Sequence, residues 1–180
     1  KISYTSDNGK WFVSGLVLNG WQRIAKPEGN QSISFGHQIT YKPNDKITLN
    51  SSSFIGNDKA KEDKRMRYFH DLYGSFQITD QFSAVLGFDI GAEQKSKGSE
   101  QYNIWYSPNV QMKYQLDNKW ALAGRLEYYN DKNGVIISTE TPNGFQTFGY
   151  SLNVDYAIFK NVVFRTEARG FTSKDAIFAK

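Results

Sequence analysis

The chain has 180 residues, 22 basic against 18 acidic side chains for a net charge of +4, and no cysteine. That length suits one domain, the lack of cysteine excludes a disulfide scaffold or a cysteine zinc site, and the interleaved charges leave no single-sign tract for nucleic acid. Mean hydropathy is −0.60, and apolar runs last only a few residues, far below the ~18 that a transmembrane helix needs. A membrane-spanning barrel survives this test, because its strands alternate and each averages out as mildly polar.

Aromatic residues reach 16%, as 13 Phe, 11 Tyr and 4 Trp. Composition alone leaves two readings open: aromatic girdles at two membrane interfaces, or an aromatic-rich soluble β-sandwich. No leader segment precedes the first strand pattern, so the chain reads as mature or truncated.

Period-2 alternation defines the strands. Residues 1–10 (KISYTSDNGK) read as the last residues of a strand, Ile2 to Thr5, followed by a short turn. Residues 11–21 are apolar on both faces, so their orientation is poorly defined, but Trp11 and Trp21 share one parity. Ten residues at ~3.3 Å, tilted ~40°, would separate those two rings by ~25 Å, the height of an outer-membrane apolar band. In residues 33–41, Ile33, Phe35, His37, Ile39 and Tyr41 oppose Ser32, Ser34, Gly36, Gln38 and Thr40. Residues 47–55 and 68–78 are weaker strands.

Next, Phe82, Ala84, Leu86, Phe88, Ile90 and Ala92 oppose Ser83, Val85, Gly87, Asp89, Gly91 and Glu93. Residues 102–116 carry the cleanest pattern. Tyr102, Ile104, Tyr106, Pro108, Val110, Met112, Tyr114 and Leu116 form one apolar face, and the opposite face is almost wholly polar, with Asn103, Ser107, Asn109, Gln111, Lys113 and Gln115 around Trp105. Trp120 to Tyr128 and Phe148 to Ile158 repeat the alternation, and residues 162–171 complete about nine strands.

The connections sort by length. Residues 42–46 (KPNDK), 79–81 (TDQ), 117–119 (DNK) and 159–161 (FKN) are tight and polar, whereas 22–31, 57–67, 94–101 and 130–144 are longer. Short and long alternate strictly. An up-and-down outer-membrane barrel has short periplasmic turns and longer extracellular loops, and a Greek-key sandwich has no reason to sort its loops so. The expected fold is therefore all-β, an antiparallel up-and-down transmembrane β-barrel. About nine strands and a stub cannot close with even parity, and an open edge in lipid leaves unpaired backbone groups. The chain is thus expected to be one barrel domain, residues 1–180, truncated at both ends and part of a larger closed barrel. Residues 172–180 read as a loop on the outer side.

Several segments resemble the OmpL-like β-barrel porins of Bacteroidota, a Gram-negative group. They are residues 40–57 (TYKPNDKITLNSSSFIGN), 113–135 (KYQLDNKWALAGRLEYYNDKNGV), 136–153 (IISTETPNGFQTFGYSLN) and 165–178 (RTEARGFTSKDAIF). The Tyr128 to Asp131 tetrapeptide, followed by residues 141–145 (TPNGF), is the most specific part. The resemblance implies an integral outer-membrane location, a longer closed barrel and pore activity. It carries no set of functional residues.

The charges that fall on the polar parity are Arg67, Asp71, Asp89, Glu93, Lys113, Arg125, Glu127, Asp155, Arg165, Glu167 and Arg169. They are the pore-lining candidates, able to set the field that selects solutes. Equally, they can pair as wall salt bridges, and Arg125 with Glu127, and Arg165, Glu167 and Arg169 together, suit such pairing. His37 and His70 fall on the apolar parity and read as interfacial or loop-proximal. No histidine pair has ligand spacing and no serine sits in a nucleophile elbow, so neither a cofactor nor an enzyme activity is expected. The charged segment 58–67 (DKAKEDKRMR) reads as a solvated extracellular loop, with lipopolysaccharide phosphates or a partner protein as alternatives. Val135, Ile136 and Ile137 read as a continuation of the hairpin, against an inward constriction or packing on a partner.

Three functions remain. The first is passive diffusion of small hydrophilic solutes through a barrel bathed in outer-membrane lipid and lipopolysaccharide. The second is a structural or interaction barrel, a subunit of a larger envelope complex without solute transport of its own, against which a lone barrel or homotrimer would count. As partners of the barrel in general, other proteins and a homo-oligomer both stay open. The third is a soluble barrel with its apolar parity turned inward around a ligand.

Overall fold

The computed structural model describes residues 1–178. Its one sheet has ten strands in chain order: β1 (Ile2–Thr5), β2 (Trp11–Leu18), β3 (Ser34–Asn44), β4 (Ile47–Gly56), β5 (Arg67–Gln77), β6 (Phe82–Gln94), β7 (Tyr102–Gln115), β8 (Trp120–Asp131), β9 (Phe145–Phe159) and β10 (Val162–Ser173). Each strand pairs antiparallel with its neighbours in sequence. Among the described residues β1 and β10 do not pair with each other, so the sheet is open, as one part of a barrel wall. The predicted stub is a short strand of its own, and β10 runs on to Ser173. Residues 179–180 of the expected last loop lie outside the described residues.

Burial is inverted relative to a soluble domain. Every buried side chain within the strands lies on one parity, and most are polar: Ser14, Ser34, Asn50, Arg67, Glu93, Ser107, Asp131, Thr147 and Asp155, with Phe54, Trp105 and Ala121. The other parity carries most of the large exposed hydrophobics, among them Val17, Leu86, Ile104, Leu126 and Leu152. Water offers no reason to expose such a continuous apolar band, since monomeric soluble proteins keep such patches to a few hundred Å². The apolar parity therefore faces out, opposite to what a soluble ligand-binding barrel requires.

Aromatic pairs mark both rims of this outer band. At the short-turn end Trp11 stacks on Tyr41 with ring centroids 4.1 Å apart, and Trp120 meets Tyr156 at 4.5 Å. At the long-loop end Tyr68 lies 6.0 Å from Tyr102, and Tyr106 lies 6.2 Å from Tyr128. Along β8, the rise from Trp120 to Tyr128 is about 20 Å for a strand tilted ~40°, close to the height of a membrane barrel's apolar band.

The short turns are held by their own side chains. Asp117 Oδ1 accepts from the backbone N–H groups of Lys119 and Trp120 at 2.7 and 2.8 Å. These donors hold its carboxyl below the usual range. Thr79 Oγ1 caps the 78–81 turn by accepting from the Phe82 N–H at 3.0 Å.

Three expectations are corrected at the long-loop end. β2 stops at Leu18, and Trp21 turns inward instead of marking a rim of the outer band. Residues 135–137 do not extend the β8–β9 hairpin. Their three N–H groups converge on the buried Asp131 carboxylate at 2.7–2.9 Å, which coils the loop back on the strand end. Segment 58–67 is not simply a solvated loop either, because Asp58 and Arg67 at its two ends are buried.

Candidate pore-lining face

Cross-strand partners share a face, so the register settles which charges meet. All eleven predicted charges lie on the inner parity. The structure divides them into three groups.

The first is a buried cluster at the long-loop end. Arg67 on β5 faces Glu93 on β6 in register. Its Nε and Nη2 donate to Glu93 Oε2 at 2.9 and 2.5 Å, and its Nη1 donates to Asp58 Oδ2 at 2.8 Å. The Arg67 guanidinium also lies 5.8 Å from the Trp105 ring centroid. Trp105 fills the space left by Gly91, its cross-strand partner, where any Cβ would collide with the indole. Asp58 Oδ1 accepts from the Trp21 N–H at 2.8 Å. This bond, together with T-shaped contacts of Trp21 on Phe54 (5.3 Å) and Phe69 (4.3 Å), folds the 19–33 loop onto the inner wall. Asn30 donates to the Asn57 carbonyl at 2.7 Å and ties the 19–33 and 57–66 loops together.

The second group forms a paired ladder on β8–β10. Arg165 Nε and Nη2 donate to Asp155 at 2.6 and 2.7 Å, a bidentate pair across the β9–β10 register. Arg125 pairs with Glu127, and Arg169 Nη2 reaches Glu127 Oε1 at 3.3 Å across β9. That reach passes over Gly149, where an added Cβ would sit 2.8 Å from Glu127 Oε1.

The third group lines the inner wall without ion pairs among the described residues: Asp71, Asp89, Lys113 and Glu167. Asp71 and Asp89 stand directly opposite each other on β5 and β6, and Asp71 accepts from Asn50 Nδ2 at 3.3 Å. Lys113 and Glu167 border a polar trough of about 420 Å³ with Gln111, Arg125, Asn153 and Arg165. An ion or polar solute entering this trough meets donors, acceptors and both signs of charge.

Sequence reasoning missed Asp58, Asp131 and the inward aromatic group of Trp21, Phe54, Phe69 and Trp105. Two of these carried a signal. Phe54 and Trp105 are bulky apolar exceptions on otherwise polar parities, and such exceptions mark places where something packs against the inner wall. Asp58 and Asp131 carried none, since a carboxylate at a loop edge looks the same whether solvated or enclosed.

An inner polar wall, an outer apolar band and two aromatic rims are the anatomy of a membrane barrel. A family model described as "Putative beta-barrel porin-2, OmpL-like" matches residues 1–180. The chain belongs to this porin family. No curated protein and no solved structure matches it. Family membership establishes the membrane-spanning β-barrel fold and a porin-like role in general.

Proposed function

We propose that this porin-family chain forms part of the wall of an outer-membrane channel for passive diffusion of small hydrophilic solutes. The observation that carries the reading is the inner face: a largely polar wall, broken by the aromatic group at the long-loop end, on which Asp71, Asp89, Lys113 and Glu167 remain free of ion pairs among the described residues. Charges left open on a lumen wall are those that set the field for permeating ions and solutes. The long-loop end then faces outward and the short-turn end faces the periplasm. Reconstituted full-length barrel in planar bilayers is expected to conduct ions, and vesicles carrying it to swell in small sugars. Neither conductance nor uptake from correctly folded barrel would overturn the proposal.

The inward fold of the 19–33 loop favours a second reading, a barrel narrowed at its outer mouth that serves as a structural or interaction subunit of an envelope complex. The same bilayer measurement separates the two.

A further inference from the structure

Lys113, Ala123, Asn153 and Glu167 share one register row of the inner wall, running from β7 to β10. Lys113 and Glu167 stand at its two ends. Three strand spacings of ~4.8 Å place their backbones about 14 Å apart. The small Ala123 leaves room between them, and a trough of about 420 Å³ lies there, bordered by Lys113, Ala123, Ser151, Asn153 and Glu167. That volume falls in the ~300–1,000 Å³ range of small-molecule sites.

The surrounding charges are committed elsewhere. Arg165 and Arg169 flank Glu167 on its own strand, but both guanidiniums are turned to other carboxylates. Arg165 donates to Asp155 through Nε and Nη2, and Arg169 reaches Glu127. Arg125, in the row beside Lys113, also donates to Glu127. The register partners of Lys113 are Ser83 and Ala123, and its inner neighbours along β7 are Gln111 and Gln115, none of them acidic. One open cation and one open anion, both on exposed side chains, therefore remain at opposite ends of the trough. Between them Ser151 and Asn153 offer a hydroxyl and a side-chain amide, which both donate and accept.

We infer that the trough is a subsite for short peptides of about two or three residues, whose carboxylate meets Lys113 and whose ammonium meets Glu167. The inference rests on the channel reading above and names its solute class. An extended peptide gains ~3.5 Å per residue, so a di- or tripeptide spans about 7–10 Å. The reach of a lysine and a glutamate side chain covers the rest. Its peptide groups find partners in Ser151 and Asn153. A free amino acid holds its two charges about one residue apart and meets one end only. A neutral sugar leaves both charges unmatched, and a simple anion leaves Glu167 unmatched.

The test is a titration of the full-length barrel in lipid nanodiscs at low salt, read by saturation-transfer NMR of the probe. Triglycine is expected to bind about threefold more tightly than N-acetyl-triglycine, triglycine amide or glycine, each of which can meet only one end. That factor is the size of one solvent-exposed ion pair. Glu167→Gln should weaken triglycine about threefold and leave N-acetyl-triglycine unchanged, since this probe has no ammonium. Lys113→Met should weaken triglycine equally and leave triglycine amide unchanged, while Lys113→Arg retains triglycine. Heat-modifiable gel mobility verifies folding of every variant. Equal affinity for the four probes, or a loss that does not follow the matching end of the probe, would overturn the inference. Planar-bilayer conductance of the same barrel reports on the channel separately. A conducting barrel indifferent to the charges of triglycine sinks the subsite alone, and a barrel that binds triglycine without conducting sinks the channel alone.

Discussion

Replacing Arg67 with Met removes the cation from a site that holds two carboxylates. Arg67, Glu93 and Asp58 are 6%, 4% and 8% exposed, so water screens the three charges poorly. Asp58 keeps its bond from the Trp21 N–H, whereas Glu93 loses both guanidinium donors at 2.9 and 2.5 Å. Breaking a buried ion pair from one side typically costs about 3–5 kcal/mol, because a desolvated charge is left uncompensated. At a factor of ten per 1.4 kcal/mol this is roughly 100- to 4,000-fold in the folding equilibrium. The three-residue change Arg67→Met, Glu93→Gln, Asp58→Asn removes every charge at once and should recover most of the loss. Urea titration of the full-length barrel in lipid vesicles, followed by tryptophan fluorescence, measures both. A loss below about 1 kcal/mol for Arg67→Met, or a triple variant as unstable as the single one, would refute the claim that the cluster acts as a buried charge network.

Trp21→Ala removes the contacts on Phe54 and Phe69 that hold the 19–33 loop to the inner wall. Single-channel conductance should rise, and an unchanged value would show that this loop does not narrow the lumen. Asp131→Ala deletes the acceptor of three N–H groups, each charge-assisted bond contributing about 1.5–3 kcal/mol. Amide exchange at residues 135–137 should accelerate strongly, and unaltered protection would sink that account of the loop. Lys113→Glu reverses a charge in the polar trough that makes no ion pair among the described residues. The reversal potential in a salt gradient should move towards cation selectivity, with no shift if Lys113 lies off the permeation path. The Asp117 carboxyl is held low by the Lys119 and Trp120 N–H donors. Its contribution to the β7–β8 turn is therefore present above the ordinary carboxylate range and fades as pH falls through the lowered value. Protection of the Trp120 amide should show this acid loss in the native chain and not in Asp117→Ala.

The strands were legible in the sequence because a β-barrel wall leaves each side chain only two choices, and the period-2 pattern states which one it takes. Residues 102–116 show this best. Their apolar parity is the outward face of β7, and their polar parity supplies Asn109, Gln111 and Lys113 to the inner face. The length rule for connections was equally readable, since it needs only the positions of strand ends. Trp21 was misplaced for the converse reason. Three residues beyond Leu18 the chain has left the sheet and parity has no meaning there; the Trp21 backbone is held by Asp58, 37 positions away, and its ring rests on Phe54 and Phe69. The same holds for residues 135–137, whose apolar triplet resembles a strand but is bent around the Asp131 carboxylate.

Parity identifies the charges of the inner face but does not say which of them are spent on one another, because pairing depends on register and on the size of what lies between. Arg165 could have met Glu167 on its own strand, yet in the structure it spans to Asp155, which stands opposite it and places both oxygens within reach of the guanidinium fork. That choice leaves Glu167 on the trough without an ion pair among the described residues. Arg169 passes over a whole strand to Glu127 only because residue 149 has no side chain. Gly149 therefore helps decide whether Arg169 belongs to the wall or to the channel. A side chain there would push against Glu127 and weaken the long pair, and the freed guanidinium would join Lys113 as a cationic element of the lumen. The electrostatic character of this inner face is thus set by two backbone features, the β9–β10 register and one glycine, as much as by the eleven charged residues themselves.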